Sequence, residues 1–313
     1  MYHPYLRGKQ NELILLRENA QLIKDASMIP IIEPVKKNLT ALNKAVEELK
    51  TKNVSFVLVL NPSEGDFKNN PLPIEEITND VLASYEDFCI GYIVDGGSSL
   101  IDVENFIDKF LAQSIAIIHN GYPKPKELAL LLEKYTNIKK HIFLDDQILY
   151  RRQFKVDGVE RVFIQDGFNR AKSNRDYGEE EIFSELHLTY KDELGLDGFG
   201  DFLIVGDDYV EGGGPAYAVA IHLTYIKDDD EIMNICHFVS DNNDTPTNPA
   251  GKFAEALNKL IIRVDEDEQI YKSNAYEKYK KLHEDGHYPG LGIVKKLSMQ
   301  HHIEVLADYL NRA

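Results

Sequence analysis

The 313-residue chain has no tryptophan and only two cysteines, Cys89 and Cys236. The missing tryptophan excludes nothing by itself. Two cysteines cannot staple a chain of this size into a disulfide scaffold. Both lie inside apolar runs, Phe88-Cys89-Ile90 and Ile235-Cys236-His237, as free buried thiols of a reducing compartment do. Positive charge is also scarce. Lys and Arg number 35 against 52 Asp and Glu, for a formal net charge of -17. Such a surface repels phosphate backbones, so non-specific nucleic-acid binding and anionic-membrane binding are not expected, while a local basic pocket for a small anionic ligand remains compatible. No apolar run nears the ~20 residues of a membrane helix, and the N-terminus lacks the charged-then-apolar order of a signal segment. A soluble, cytoplasmic protein is the expectation. Signatures of chemistry are missing too: no Walker or dinucleotide glycine spacing, no zinc HExxH, no nucleophile elbow and no Cys–His pair.

What the chain does have is a recurring pattern, a short apolar run that closes on a polar or acidic residue. Met28-Ile29-Pro30-Ile31-Ile32-Glu33-Pro34 sets it. It returns as 54–60 ending at Asn61, 88–94 ending at Asp95, 114–118 ending at His119, 141–144 ending at Asp145-Asp146, 161–165 ending at Asp166, and 201–205 followed by Gly206-Asp207-Asp208. Helical spacing fills the intervals: 12–23, 40–50 with Thr40 as its cap, 74–85, a helix capped by Ser98 or Ser99 that runs to about 112, and 127–135. A helix is also expected over 179–194, where the acidic first turn suits the macrodipole. Strands 216–226 and 232–239 alternate strictly about Lys227-Asp228-Asp229-Asp230 and form a hairpin, one arm of which can serve as an eighth barrel strand. Helices follow over 251–263 and 266–284, and a last one starts at Ser298.

Alternation at about thirty residues, continued to about eight near-continuous apolar strands, implies an α/β fold of the TIM-barrel type, (βα)8. The connection between its fifth and sixth strands, 147–160, is irregular and short. An antiparallel hairpin and a helical C-terminal tail are added. No repeat and no Pro-, Gly- or Ser-rich linker divides the chain, so one domain over 1–313 is expected, with 266–313 packed on it as a helical extension.

In a parallel barrel the strand C-terminal ends form the mouth where sites sit. Glu33, Asp95, His119 and Asp145 are therefore candidate catalytic residues. Glu33, Asp95, Asp145 and Asp207 are candidate ligands for Mg²⁺ or Mn²⁺, which take oxygen donors. Crowded carboxylates could also divide general acid and base roles, with His119 shuttling a proton. Asp and Asn also end strands for local hydrogen-bonding reasons, so each has a plain turn reading beside it. Tyr5, Arg7 and Lys9 form an aromatic and basic arm in an acidic chain and could clamp a phosphate or carboxylate. Asn61, Asp166 and Gly213, within the Gly212-Gly213-Gly214 loop, complete the candidate ligand-binding set. His222 and His237 on the hairpin could join a mouth carboxylate at a metal. His301 and His302 diverge on their helix, and one could reach back to the barrel.

The opening Tyr2-His3-Pro4-Tyr5-Leu6-Arg7-Gly8-Lys9-Gln10-Asn11-Glu12-Leu13, the later Ile29-Pro30-Ile31-Ile32-Glu33-Pro34, the middle from Phe199-Gly200-Asp201 to Gly212-Gly213-Gly214, and His301-His302 together resemble the bacterial and phage "Beta protein" family. The resemblance supplies no catalytic residues. It implies a setting near mobile elements and phage-defence loci. Two expectations follow. One is a metal-assisted hydrolase acting on a phosphorylated or nucleotide-like substrate at the mouth. The other is a non-enzymatic sensor or protein-binding component of a defence system. In that second reading Tyr271, Tyr276 and Tyr279 are interaction surface, and a homo-oligomer or a defence partner is expected.

Overall fold

The computed structural model describes residues 1–68, 81–82, 84–212, 214 and 216–312. The helix expected over 74–85 falls largely outside the described residues, as does Gly213. The chain folds as two compact units, residues 1–165 with 189–202, and residues 166–188 with 203–313.

The first unit is a parallel barrel. Its strands are β1 (Tyr5–Leu6), β2 (Ile31–Ile32), β3 (Phe56–Val59), β4 (Phe88–Asp95), β5 (Ile115–Asn120), β6 (Ile138–Phe143), β7 (Glu160–Gln165) and β9 (Gly198–Asp201), paired in that order in one eight-stranded sheet. The two ends of the sheet meet. Tyr2 bridges Phe199 in parallel, the His3 amide donates to the Phe199 carbonyl (2.7 Å), and the Phe199 amide donates to the Met1 carbonyl (3.0 Å). On the other side, the amides of Ile29, Ile31 and Glu33 donate to the carbonyls of Tyr2, Pro4 and Leu6. The N-terminal arm therefore closes the barrel, rather than an arm of the 216–239 hairpin. Pro4 brings no N–H to the ladder, which breaks this strand into pieces too short to read as an apolar run. Closure also needs Gly200, where a Cβ would lie 1.9 Å from the His3 carbonyl oxygen.

One set of alternate side chains fills the lumen: Tyr5, Ile31, Val57, Val59, Ile93, Ala116, Ile118, Ile142, Val162, Ile164 and Phe202. Helices α1 (Gln10–Glu18), α2 (Ala20–Asp25), α3 (Thr40–Thr51), α4 (Leu100–Lys109), α5 (Pro125–Leu132) and the four-residue α6 (Ile148–Arg151) lie between strands. The helix expected over 12–23 is broken at Asn19, whose Nδ2 donates to the Leu15 carbonyl (2.8 Å). Ser99 caps α4 as expected, with its Oγ accepting from the Asp102 amide (3.2 Å). Thr40 is not the cap of α3. It is the first helical residue, and its amide donates to Asn38 Oδ1 (3.1 Å). The expected strand 201–205 begins and ends earlier, at 198–201, and Leu203–Val205 is a 3₁₀ turn.

The second unit is built on an antiparallel sheet in the order β10 (Ala220–Ile226), β11 (Met233–Val239), β8 (Glu180–Ser184). The hairpin forms as expected, and Val219, Ile221, Leu223 and Tyr225 share the core face. The helix expected from 179 is instead β8, followed by the four-residue α7 (Leu186–Thr189). The backbone of β8 satisfies the open edge of β11, and that non-local pairing outweighs an acidic, helix-like composition. Helices α8 (Pro249–Glu266), α9 (Asn274–Glu284) and α10 (Leu291–Arg312) complete this unit. The last helix starts seven residues before the expected Ser298 and is buried on every side from Leu297 to Ala307. Both His301 and His302 are therefore interior, and both find Thr224: His301 Nε2 with its carbonyl oxygen (2.8 Å), His302 Nδ1 with its Oγ1 (2.9 Å). Among the described residues no helix is long and apolar enough to cross a membrane.

Candidate functional site

Glu33 is the centre of the mouth. By strand alternation it follows Ile31 onto the lumen side, and it is 1% exposed. A bare buried carboxylate is costly, and this one is saturated. Its Oε2 accepts from the Tyr5 hydroxyl (2.8 Å), and its Oε1 accepts from the Ser63 amide (2.7 Å) and the Ser63 hydroxyl (2.9 Å). Arg7 Nε lies 3.8 Å from Oε2. The Arg7 guanidinium also sits over Phe202, 5.1 Å from the ring centroid, and over Tyr5 at 5.8 Å, a stacked cation–π arrangement. The turn that brings Arg7 here needs Gly8 at φ +58, where a Cβ would come 3.1 Å from the Glu33 carbonyl oxygen. Lys9 is the extended N-cap residue of α1. Thus Tyr5, Arg7 and Glu33 come together. Ser63 and Phe202 join them, and their sequence neighbourhoods carry no signal of it.

The other acids do not gather with Glu33. Asp95 closes its own turn: Oδ1 accepts from the Gly97 amide (2.9 Å) and the Ser98 hydroxyl (3.0 Å). Asn61 extends the sheet, with Nδ2 donating to the Ile93 carbonyl and Oδ1 accepting from the Ile93 amide, both at 2.8 Å. Asp166 and Asp207 belong to the second unit, where Asp166 accepts from the Phe168 amide (3.0 Å) and the Asp207 amide (2.8 Å). Among the described residues, no three His, Cys, Asp or Glu side chains come together to hold a metal ion. The expected quartet Glu33, Asp95, Asp145 and Asp207 is therefore not assembled. Two of its members are already committed: Asp95 closes its own turn, and Glu33 is held by Tyr5 and Ser63.

His119 does not face the lumen. Ala116 and Ile118 do, so alternation turns His119 outward against the helix layer. There its Nδ1 meets the Tyr150 hydroxyl (2.9 Å) and its Nε2 meets His141 Nδ1 (3.1 Å), with Phe143 stacked on the ring and Phe154 beside it. Burial pushes His119 well below its ordinary pKa and lowers His141 to about 3. Both rings are neutral at pH 7. Burial also raises the Tyr150 phenol, with the Asp145 charge adding to it. Tyr150 and Asp145 line one cavity of about 340 Å³. Nearby, the buried Arg151 donates to Asp146 Oδ1 (2.9 Å) and lies over Phe163. Tyr150 and Arg151 fall within the irregular connection 147–160, which is the only hint the sequence offers.

In the second unit His222 and His237 are direct cross-strand partners with their Nδ1 atoms 2.7 Å apart. His237 Nε2 lies 3.4 Å from Glu181 Oε1, so the nearby acid comes from β8 and not from the barrel mouth. Tyr177 stacks on His237, and Phe168 meets His222 edge-on. Burial lowers both histidines. The thiols of Cys89 and Cys236 are each raised by burial to about 11, which leaves neither ready as a nucleophile at neutral pH.

The geometry thus defines a TIM-type parallel barrel whose mouth carries an anchored arginine. No family model matches the chain, and no curated protein sequence does. One solved structure, a candidate dihydrodipicolinate synthase family protein from Coccidioides immitis, is similar at 9% identity and a TM-score of 0.43, over 99% of this chain and 86% of that one. The barrel assignment rests on the strand pairing and closure described above.

Proposed function

We propose that the barrel binds a small anion, a carboxylate or phosphate group, at its C-terminal mouth through Arg7. One observation carries this reading: a buried carboxylate, Glu33, has its oxygens occupied by Tyr5 and Ser63 and lies beside an arginine whose guanidinium plane rests on Phe202. Such a device fixes the direction of a planar fork in advance, which lowers the ordering cost of binding. An arriving anion would exchange with the present partners of the guanidinium. Net charge of -17 elsewhere makes the site a local exception and selects small ligands over polyanions. This is a recognition reading. The hydrolase reading asked for a carboxylate cluster, and no three-ligand group occurs among the described residues.

Calorimetric titration with inorganic phosphate and with succinate tests it. Wild type should bind at least one probe and melt higher in its presence. Arg7→Lys keeps the charge but loses the fork, and should bind about tenfold more weakly. Arg7→Ala should show no binding. Equal affinity in wild type and Arg7→Ala sinks the proposal.

A further inference from the structure

A second site lies in the barrel unit, away from Arg7 and independent of the anion reading. The loop after β5 and the short helix after β6 line an open cavity of about 340 Å³, with Tyr122, Pro125, Asp145, Gln147, Leu149 and Tyr150 in its walls. Apart from Asp145 and Gln147 its walls are aromatic and aliphatic. Its charge is a single carboxylate. Asp145 is half-buried, and among the described residues its carboxylate has no hydrogen bond or ion pair, whereas the neighbouring Asp146 is paired with Arg151. An unpaired, partly desolvated carboxylate is an expense that a cation would relieve.

A further oxygen in the wall is the Tyr150 hydroxyl, which also meets the buried His119 ring. In the hydrogen-bond chain where the phenol donates to His119 Nδ1, His119 Nε2–H donates on to His141 Nδ1. In that tautomeric arrangement the phenol's proton is used inward and its lone pairs face the cavity. Pro125 occupies the first turn of α5, and together with Pro123 it stiffens the loop that carries the Tyr122 ring, so this wall exists before any ligand arrives.

We propose that this cavity binds an organic cation, an ammonium or guanidinium group, between the Tyr122 and Tyr150 rings with Asp145 as its counter-charge. Ring faces and a carboxylate attract cations, and the carboxylate and phenol oxygens favour a ligand that brings donors. A free small molecule and a lysine or arginine side chain of a peptide share this chemistry.

The probes are methylguanidinium, which carries N–H donors, tetramethylammonium, which carries none, and tert-butanol as a neutral molecule of similar bulk. Titration calorimetry at constant ionic strength reads binding. Both cations should bind the wild-type protein, and tert-butanol should not. Asp145→Asn should weaken both cations about tenfold or more. Tyr150→Phe keeps the ring face but removes the oxygen, so it should weaken methylguanidinium several-fold and leave tetramethylammonium unchanged. If a variant folds poorly, hydrogen exchange on the wild-type protein substitutes, and methylguanidinium should protect amides in 121–125 and 147–150. Capped lysine and arginine peptides then separate the two sources of the group. Binding of tert-butanol as tight as that of the cations, wild-type affinity in a folded Asp145→Asn, or no binding and no protection with either cation overturns the proposal.

Discussion

The two units each bury a pair of histidines on adjacent strands, and the pairs end differently. In the barrel, His119 and His141 run from one aromatic shell out to a tyrosine hydroxyl beside a cavity. In the antiparallel unit, His222 and His237 run out to a carboxylate, Glu181. Both pairs are held neutral by burial. Among the described residues no carboxylate supports a proton on the barrel pair, whereas Glu181 opposes the depression at His237. Similar ring pairs are therefore a rigid neutral strut in one place and a moderated, acid-linked pair in the other. Residue type alone does not distinguish them. The third group in the line does.

The largest expected effect comes from breaking the barrel strut. His141→Ala leaves His119 Nε2 without its partner and opens a hole beside Phe154, at a cost of about 3 kcal/mol. Urea unfolding followed by hydrogen exchange on the barrel strands measures it, and a cost under about 1 kcal/mol would mean the strut is dispensable.

Acid should bring out the contrast next. A histidine whose folded pKa lies below its unfolded value of about 6.5 binds fewer protons when native, so its contribution is intact above that pH and is lost as pH falls. For His141 the loss extends from about 6.5 down to its folded value of about 3, at about 1.4 kcal/mol per pH unit. His119 adds in the same direction. In the other unit burial lowers His222 in the same direction, while at His237 Glu181 opposes the depression and reduces that residue's share of the loss. Hydrogen exchange between pH 7 and 4 should show the barrel strands losing protection more steeply than β10 and β11. Parallel losses would erase the distinction.

The smallest effect isolates the acid itself. Glu181→Gln should change stability at pH 7 by less than about 0.5 kcal/mol, because His237 is neutral there in either case and the carboxylate is partly solvated. The same change should lower the His237 pKa further, since its main opposing contribution is gone. Imidazole NMR titration reads the shift, and an unmoved pKa would show that Glu181 is a bystander.

Much of the barrel is legible because period-two burial and apolar runs report local surroundings. The runs at 54–60, 88–94, 114–118 and 161–165 all contain strands, and the alternation of the hairpin identifies its core face. The misplaced elements share a cause. Tyr5–Leu6 is a strand because an open barrel edge is there to receive it, and Glu180–Ser184 is a strand because β11 is. Neither partner is near in sequence. Its place at a strand end points His119 to the mouth, but one residue of register turns it to the outer face.

The alternation of strand and helix over 28–144 was determined by the sequence itself, as were the near-continuous burial of the parallel strands, the interior character of both cysteines and the acid at the end of the second strand. These follow from spacing along the chain, which sets which side chains can share a face. The tertiary structure alone decided which segment closes the barrel, that Ser63 and Tyr5 saturate Glu33, and that Asp145 shares a cavity with Tyr122. Those outcomes depend on hydrogen bonds and cavities made by residues far apart in sequence, and no local period encodes a non-local partner.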